Sequence, residues 1–283
     1  HTFGKSDHFL KDCAEEMGKE DTFYNVDVGV YFSDNRDWDD DPYFNGEGPK
    51  RKGCIKCGEC MVGCRHDSKN TLDKNYLYLA EKYGAEIIPE MDVYDIIPDQ
   101  DGYIVKTRKS TGLLHPKSAY KCKKVVLSGG VMGSVKLLME CKRNGSLKNI
   151  SEELGNFVRS NSEAILGVKI PKPDKDLTKG IAISAGFHPD ENTHIETFRY
   201  GKGQNMMGLL TTEMTGVNQL AGISSWLLNF ARHPIRNLMY FFPRKWSERS
   251  VFLLVMQPLN NYLRLVHEKK WWKFGGVSIN TRN

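Results

Sequence analysis

The sequence predicts a mixed α/β fold (α+β in character), in which helices accompany antiparallel sheets. Three observations support this prediction. Apolar residues recur at helical spacing over 70–84. Short β-like runs alternate with turn residues between 85 and 130, and a helical pattern follows them. Beyond residue 154, further β-like runs separated by turns indicate a second antiparallel sheet.

The composition is that of a soluble globular protein with one large or two modest domains. The chain has 283 residues, of which 40% are hydrophobic and 27% are charged. A net charge of +5 is too small to favour nucleic acid as a partner. The charge is uneven, because residues 34–47 are acidic whereas residues 231–283 carry ten Lys or Arg against two Glu. A solvated face is the favoured explanation of this basic, aromatic-rich end, and peripheral contact with an anionic membrane is the alternative.

Seven cysteines, four of them clustered, do not form the pattern of a disulfide framework. We therefore expect a reducing, cytoplasmic location, with the membrane contact as an addition to it. No uncharged apolar run reaches the 18 residues of a membrane-spanning helix. The chain begins with His rather than Met, so we expect it to be a piece of a longer protein.

The N-terminal part predicts a helix, a strand and a long loop. Residues 1–20 have apolar positions at helical spacing and a stop at Gly18. The stretch FYNVDVGVYF, residues 23–32, alternates as a strand does. Residues 33–52 are rich in Asp, Gly and Pro and lack periodicity, which predicts a surface loop.

A second helix is predicted directly after the cysteines. Asn70 or Thr71 can cap its N-terminus, and Asp73 lies in its first turn. Gly84 supplies a left-handed stop. The apolar positions at helical spacing are Leu72, Tyr76, Leu79, Ala80 and Tyr83.

A β-meander is predicted next. AEIIPEMDVYDIIP (85–98) reads as one short strand and then a second, and DQDG (99–102) reads as a turn. YIVKTRK (103–109) is the following strand, and it ends at the turn residues STG.

A strand, a glycine turn and a helix follow the meander. KCKKVVLSGG (121–130) reads as a buried strand that ends in Ser128, Gly129 and Gly130, and the pattern of 131–144 is helical with a stop at Gly145. This order offers backbone donors to a phosphate or another anion. Because the turn lacks a full G-x-G-x-x-G pattern, a tight turn without a ligand is an equal alternative.

The second half of the chain predicts another antiparallel sheet. The β-like runs are AILGVKI, IAISAGF, THIETFRY and MMGLLTTEM, and amphipathic stretches interrupted by prolines occupy 223–265. The runs MMGLL and SSWLLNF are apolar enough to line a binding pocket, although ordinary core is the favoured interpretation.

Four cysteines lie within eleven residues, at Cys54, Cys57, Cys60 and Cys64. The spacing Cys-x2-Cys-x2-Cys-x3-Cys is that of a bacterial ferredoxin, in which a tight loop directs successive thiolates at one iron–sulfur cluster. Arg65 stands where ferredoxins have Pro, so the match is incomplete. One 4Fe-4S cluster is the first hypothesis. Zinc and simple packing of small side chains are the alternatives.

Candidate acid–base residues are scattered along the chain. No Ser/His/Asp arrangement and no phosphate loop of the GK[ST] type is present in the sequence. A single His or Glu is more often a surface or core residue than a catalyst. The candidates are His66, Glu163, His188, His194 and His267.

Several segments together resemble the cholesterol-oxidase-like branch of the glucose–methanol–choline (GMC) flavoprotein oxidoreductases. They are the stretch from DPYFNGEG through the cysteines and TLDKNYL to MDVYDI, followed by VVLSGGVMGSVKLL, LGNFVRSNSEAILG and ARHPIRNLMYFFPRKWSERSVFLLVMQPLNN. These segments cover most of the chain, and their order is more specific than any one of them.

The resemblance implies an enzyme that binds FAD in a Rossmann-like domain and oxidises a sterol-like or other bulky lipid alcohol by hydride transfer to the flavin. A substrate domain built on an antiparallel sheet would cover the flavin ring. By position in the family motifs, the residues expected to lie along or near FAD are Asn70, Leu72, Val93, Ser128, Gly129 and Gly130.

The resemblance also predicts the domains. Residues 1–158, with the cysteine-rich loop 53–65, would form part of the FAD-binding domain, and residues 159–283 would form an incomplete substrate domain. The phosphate loop and the catalytic His–Asn motif of the family are not found in these residues, so neither a catalytic residue nor an electron acceptor is assigned. The alternative function is iron–sulfur electron transfer through the four cysteines, without flavin.

Overall fold

The structure is a computed structural model and describes residues 3–35, 37–170, 176–212, 214, 222–238, 243–268 and 276–280. The helices in this part of the chain are α1 (Lys5–Glu16), α2 (Tyr76–Lys82), α3 (Gly130–Asn144), α4 (Gly222–Arg232) and α5 (Pro234–Leu238). The strands are β1 (Tyr24–Asn25), β2 (Trp38–Asp39), β3 (Arg51–Lys52), β4 (Met91–Asp99), β5 (Gly102–Lys109), β6 (Lys117–Cys122), β7 (Ala164–Lys169), β8 (Ile183–Asp190), β9 (Thr193–Phe198), β10 (Ser250–Met256), β11 (Arg264–Glu268) and β12 (Gly276–Asn280). The predicted mixed α/β class is confirmed.

The chain folds as two units. Unit 1 consists of residues 1–84 and 161–259, and unit 2 of residues 85–160 and 260–283. The N-terminal segment belongs to unit 1 because β1 pairs with β8, far along the chain. This grouping differs from the sequence-continuous domains expected from the family motifs. The binding of FAD by one domain and of substrate by the other stays a prediction.

Unit 1 is built on a five-stranded antiparallel sheet with the order β1-β8-β9-β10-β7. One face carries an aromatic cluster of Phe198, Tyr200, Trp246 and Phe252, together with Leu254. Side chains alternate across a strand, so the neighbouring Leu253 of β10 points to the opposite face. There α1 covers the sheet with Leu10 and Ala14 packed on Ala185 and Phe187. Each large apolar side chain buried in this way contributes about 1.5–3 kcal/mol.

A buried ion pair fixes the start of α1 against the sheet. The Asp7 carboxylate accepts hydrogen bonds from the Gly4 backbone N–H (2.6 Å) and the Ser184 hydroxyl (2.7 Å). The Arg199 guanidinium lies 2.5 Å from the same carboxylate, and both side chains are almost completely buried. Because each charge is compensated by the other, neither can be removed without leaving the remaining one unpaired in the interior.

Unit 2 contains the meander β4-β5-β6, with α3 packed on β4, and the hairpin β11-β12. The last turn of α3 is held to β4 by Ser146, whose hydroxyl hydrogen-bonds to the Asp95 carboxylate. Cys141 is completely buried in this contact. Gly145, at φ 78°, ends α3 as a left-handed residue, which confirms the predicted stop. No described helix is long and apolar enough to cross a membrane.

The predicted strand over residues 23–32 is wrong for most of its length. Only Tyr24 and Asn25 join a sheet, at the edge beside β8. The continuation instead pairs with the segment after the cysteines, through a single bridge between Val30 and Lys69. The alternation of this stretch therefore reflects contact with a loop rather than with a second strand.

The predicted strand at residues 121–130 is also wrong. The regular structure of β6 ends at Cys122, and the residues up to Gly129 form no strand. Val126, predicted to be buried, is 86% exposed. A strand requires a neighbour for its backbone hydrogen bonds, and the described residues supply none at this position.

Three smaller differences concern local structure. The stretch 85–98 forms one strand, β4, rather than two. The MMGLL run is a 3-10 helix, Asn205–Leu210, rather than a strand. The helix after the cysteines begins later than expected, because a 3-10 turn at Leu72–Lys74 precedes α2, and Asn75 caps α2 by accepting a hydrogen bond from the Tyr76 N–H.

We expect Asp7→Asn to lower the free energy of unfolding by about 3–5 kcal/mol, because it leaves the buried Arg199 charge uncompensated. The control is Glu15→Gln, which removes an exposed ion pair with Lys11 and should cost less than about 1 kcal/mol. Urea denaturation measures both. Equal midpoints for the two variants would contradict the central role of the buried pair.

Candidate functional site

The cysteine loop begins and ends on one extended segment of unit 1. At its start, the Cys54 N–H donates to the Tyr31 carbonyl oxygen (2.9 Å). At its end, the Tyr31 N–H donates to the Ser68 carbonyl oxygen (2.8 Å), and Val30 bridges to Lys69. The two ends of the loop are thus held side by side, which closes the residues between them into a compact turn.

The middle of the loop is held by a different segment of unit 1. The Gly180 N–H donates to the Lys56 carbonyl oxygen (3.0 Å), and Cys57 forms a parallel bridge with Gly180. Gly58 has φ 75°, and a Cβ there would lie 2.3 Å from the Thr178 carbonyl oxygen. Both the conformation and the close approach require glycine at this position.

The four thiols of the loop line the same pocket. All of them are free and half-buried. The pocket wall also includes Glu59, His66 and Lys69, and the Lys69 ammonium donates to the Cys60 carbonyl oxygen (3.0 Å). The structure therefore brings together the four residues that the sequence predicted as metal ligands.

The thiol pKa values in this pocket differ in direction. Burial raises the pKa of Cys54, and the other three thiols of the loop raise it further. Burial is also the main cause that raises the pKa of Cys57. Burial acts in the same direction on Cys64, but hydrogen bonds from the backbone N–H groups that follow it outweigh this effect and lower its pKa. Cys64 is therefore converted to the thiolate form more easily than Cys54 or Cys57.

A second set of possible ligands shares this pocket. Ligand atoms of Cys57, Glu59 and His66 lie within 4.8 Å of one another. Glu59 already forms an ion pair with Arg65 (3.0 Å). Sequence reasoning named His66 among the acid–base candidates, and the structure instead places its ring beside the thiols.

Asn70 and Leu72 lie in unit 1, after the cysteine loop. The Asn70 side-chain oxygen accepts a hydrogen bond from the buried Arg51 guanidinium (2.7 Å), which also donates to the Lys74 carbonyl oxygen. Asn70 thus connects β3 to the start of the helical segment. Leu72 is 60% exposed and is available to a neighbour. Their position near FAD stays a prediction.

Val93 and the glycine turn lie in unit 2. Val93 pairs with Thr107 immediately before an irregularity in the β4-β5 register, where the ladder of backbone hydrogen bonds is interrupted. Gly129 precedes α3, and Gly130 has φ 67°. A Cβ at Gly130 would meet no atom within 4 Å. This open, glycine-lined turn fits the close approach of a large cofactor, as does Ser128 beside it.

The structure brings two of the scattered histidines together on the unit 1 sheet. The rings of His188 and His194 stack at 4.7 Å, and the Tyr24 ring lies against both. The Tyr24 hydroxyl is hydrogen-bonded to Nε2 of His194, and a Glu196 oxygen lies 3.6 Å from the same nitrogen. Sequence reasoning missed Tyr24 and Glu196. The His-x-Glu spacing on one strand was a usable signal, because residues two apart share a face.

The local environment shifts two pKa values in this cluster in opposite directions. Burial lowers the pKa of His194, and the neighbouring His188 lowers it further. Burial raises the pKa of Glu196, and Glu163 adds to the effect. The neutral forms of both groups are therefore favoured relative to water. The remaining candidate, His267, lies in β11, but its side chain falls outside the described residues.

Comparison with known proteins identifies the class to which the chain belongs. Residues 49–154, which include the cysteine loop, Val93 and the glycine turn, match the family model described as GMC oxidoreductase. The chain belongs to the GMC oxidoreductase family, as its sequence motifs predicted.

Within this family the chain is similar to proteins named cholesterol oxidase. The chain is 39% identical to one from Acinetobacter baumannii over 97% of the chain's length. It is 42% identical to one from Mycobacterium tuberculosis over 92% of the chain's length. The chain spans 52% and 47% of the lengths of these two relatives, about half of each.

We expect His194→Gln to reduce the loss of stability that acid causes. The folded-state pKa of His194 lies below the ordinary value of 6.5, so the unfolded chain binds a proton at His194 at a higher pH than the folded chain does. Protonation therefore favours unfolding, and the folded state loses stability as the pH falls below 6.5. The change in unfolding free energy between about pH 7.5 and about pH 5.5 should be smaller in the variant. His8→Gln, at an exposed position of α1, is the control. A steeper acid loss in His194→Gln than in the native protein would contradict this assignment.

Proposed function

We propose that the protein containing this chain is an FAD-dependent oxidoreductase that oxidises the CH–OH group of a bulky lipid alcohol, such as a sterol. The observation that carries this proposal is the similarity over nearly the whole chain to two proteins named cholesterol oxidase. The match of residues 49–154 to the GMC family agrees with it. When bound, FAD supplies the acceptor for the hydride that leaves the alcohol carbon.

In this proposal, residues of unit 2 hold part of the cofactor. The open turn at Gly129 and Gly130 lets the backbone approach the dinucleotide closely, and Ser128 adds a hydroxyl. The first N–H groups of α3 have no partner within the helix and are suited to an anionic group. The interrupted ladder beside Val93 gives backbone groups for the adenine.

The substrate would be bound by apolar surface of unit 1. Met206 and Leu210, in the 3-10 helix Asn205–Leu210, are 71% and 79% exposed. Leu227 and Leu228 of α4 are also exposed. The sequence favoured ordinary core for both segments. These four side chains are exposed instead, whereas Met207 packs against the aromatic cluster. Apolar side chains directed at solvent are suited to a sterol-like ligand.

We also propose a peripheral membrane contact through the basic end of unit 1. Arg232, Arg244 and Lys245 are exposed, and Ile235, three residues after Arg232, is 79% exposed. Basic side chains attract anionic lipid at about 1 kcal/mol each, and an apolar neighbour adds insertion into the interface. A lipid alcohol held in a bilayer would be reached from such a position.

The full-length protein should contain about one FAD per chain, and anaerobic addition of a sterol alcohol should bleach the flavin absorbance. The corresponding ketone, which has no hydride to give, is the control. Gly133→Leu should weaken FAD binding tenfold or more, because its side chain would fill space that is open at the start of α3.

The matched variant for this experiment is Arg143→Leu, which adds the same side chain at the opposite end of α3. It should retain FAD. Full-length protein without flavin, or equal FAD loss in both variants, would contradict the proposed cofactor contact.

Membrane binding is tested with vesicles of phosphatidylcholine, with and without phosphatidylserine. Arg244→Glu combined with Lys245→Glu should weaken binding to the anionic vesicles tenfold or more. The matched control reverses two other adjacent exposed lysines, Lys123→Glu with Lys124→Glu. Binding that is indifferent to phosphatidylserine would exclude the electrostatic contact.

A further inference from the structure

We propose that Cys54, Cys57, Cys60 and Cys64 together hold one [4Fe–4S] cluster. This proposal does not rest on the oxidation of an alcohol proposed above, in which flavin would accept the hydride. The spacing of the four cysteines in the sequence suggests this cluster, and the arrangement of the folded loop supports it.

The four cysteines converge on one pocket. The loop that carries the four cysteines is only eleven residues long. All four cysteines are free and half-buried, and they line one pocket. Four cysteines brought together only as small packing groups have no reason to turn toward a common pocket, because a thiol packs equally well against any apolar wall. Consecutive cysteines at this spacing are the ligand pattern of iron–sulfur clusters, whereas structural zinc sites usually separate two pairs by a longer loop.

The backbone of the loop reverses its direction at several residues. Lys56, Gly58, Gly63 and Asp67 have positive φ angles of 56°, 75°, 118° and 55°. The first three lie between successive cysteines, where they reverse the chain repeatedly so that it wraps around a centre, and Asp67 follows Cys64. Two of the four, Lys56 and Asp67, are not glycine, and the Lys56 carbonyl oxygen accepts a hydrogen bond from the Gly180 N–H (3.0 Å).

Backbone N–H groups of the loop donate to cysteine sulfur atoms. The Lys56 N–H points at the Cys54 sulfur, with a nitrogen–sulfur distance of 3.4 Å. The sulfur of Cys64 receives N–H groups from residues that follow it, including His66 and Lys69. Such hydrogen bonds stabilise the negative charge of cluster thiolates and tune the potential of the cluster. The basic side chain of Lys69 on the pocket wall compensates further charge.

The loop is held in place by contacts along its whole length. The loop is anchored at both ends on the segment that contains Tyr31, and in the middle on Gly180. A Cβ at Gly201 would come within 2.3 Å of the Glu59 side chain, so the loop packs closely on this side as well. A site whose ligands are held before the cluster binds loses little conformational entropy on binding.

A mononuclear metal ion bound by Cys57, Glu59 and His66 is the competing arrangement. Their ligand atoms lie within 4.8 Å of one another. This set would leave three cysteines of the pocket without a role, namely Cys54, Cys60 and Cys64. It would also compete with Arg65 for the Glu59 carboxylate. The two arrangements differ in which substitutions remove the metal, and this difference decides the experiment.

The test uses the full-length protein, purified without oxygen. Iron and acid-labile sulfide should each be present at about four per chain, with a broad visible absorbance that dithionite bleaches. Cys57→Ala and Cys60→Ala should each reduce bound iron more than tenfold. Glu59→Gln and His66→Ala should leave the iron content unchanged, as should Cys13→Ala and Cys122→Ala, which remove cysteines outside the loop.

Several outcomes would overturn the proposal. Absence of iron from the native protein would overturn it regardless of the variants. The test therefore remains decisive even where a variant fails to fold. Zinc in place of iron, or loss of metal in His66→Ala, would favour the mononuclear site instead. FAD measured on the same samples separates the two proposals. Flavin without iron overturns the cluster alone, and iron without flavin supports the cluster while overturning the oxidation of alcohol.

Discussion

The buried ion pair between Asp7 and Arg199 is the interaction on which the rest of unit 1 depends. It joins the first turn of α1 to the end of β9, and the Arg199 guanidinium also donates to the Lys179 carbonyl oxygen (3.3 Å). Gly4 and Gly180 surround it so closely that a Cβ at Gly180 would lie 1.9 Å from the guanidinium. A charge pair in the interior contributes little net stability, but it tolerates only the arrangement that keeps both charges paired.

This constraint extends to the cysteine loop. Gly180, which contacts Arg199, is also the residue that holds Lys56 and Cys57 through backbone hydrogen bonding and a β-bridge. Gly58, next in the loop, approaches the Arg199 side chain and the Thr178 carbonyl oxygen. The pocket of thiols is therefore built on the same contact that positions α1. A site on an irregular loop gains its order from the rigid core beneath it.

Most of the regular elements were predictable because their signals are local. The helix α3 and its stop at Gly145, the hairpin of β4 and β5, and the cysteine spacing all depend on residues close together in sequence. The prediction was wrong where a pattern needs a distant partner. Residues 125–128 have the composition of a strand, but no described strand lies beside them. Residues 26–32 alternate like a strand, yet they bind the cysteine loop.

By itself, the sequence determined the class of fold, the family to which the chain belongs and the four cysteines as one candidate ligand set, because these follow from periodicity, motif order and spacing. Tertiary structure alone decided that the four thiols share a pocket and that Tyr24 lies against His194. It also decided that Asp7 pairs with Arg199, 192 positions away in the chain. The physical reason is that the partner of a buried polar group is selected by the folded core, where an unpaired charge is costly, and not by neighbours along the chain.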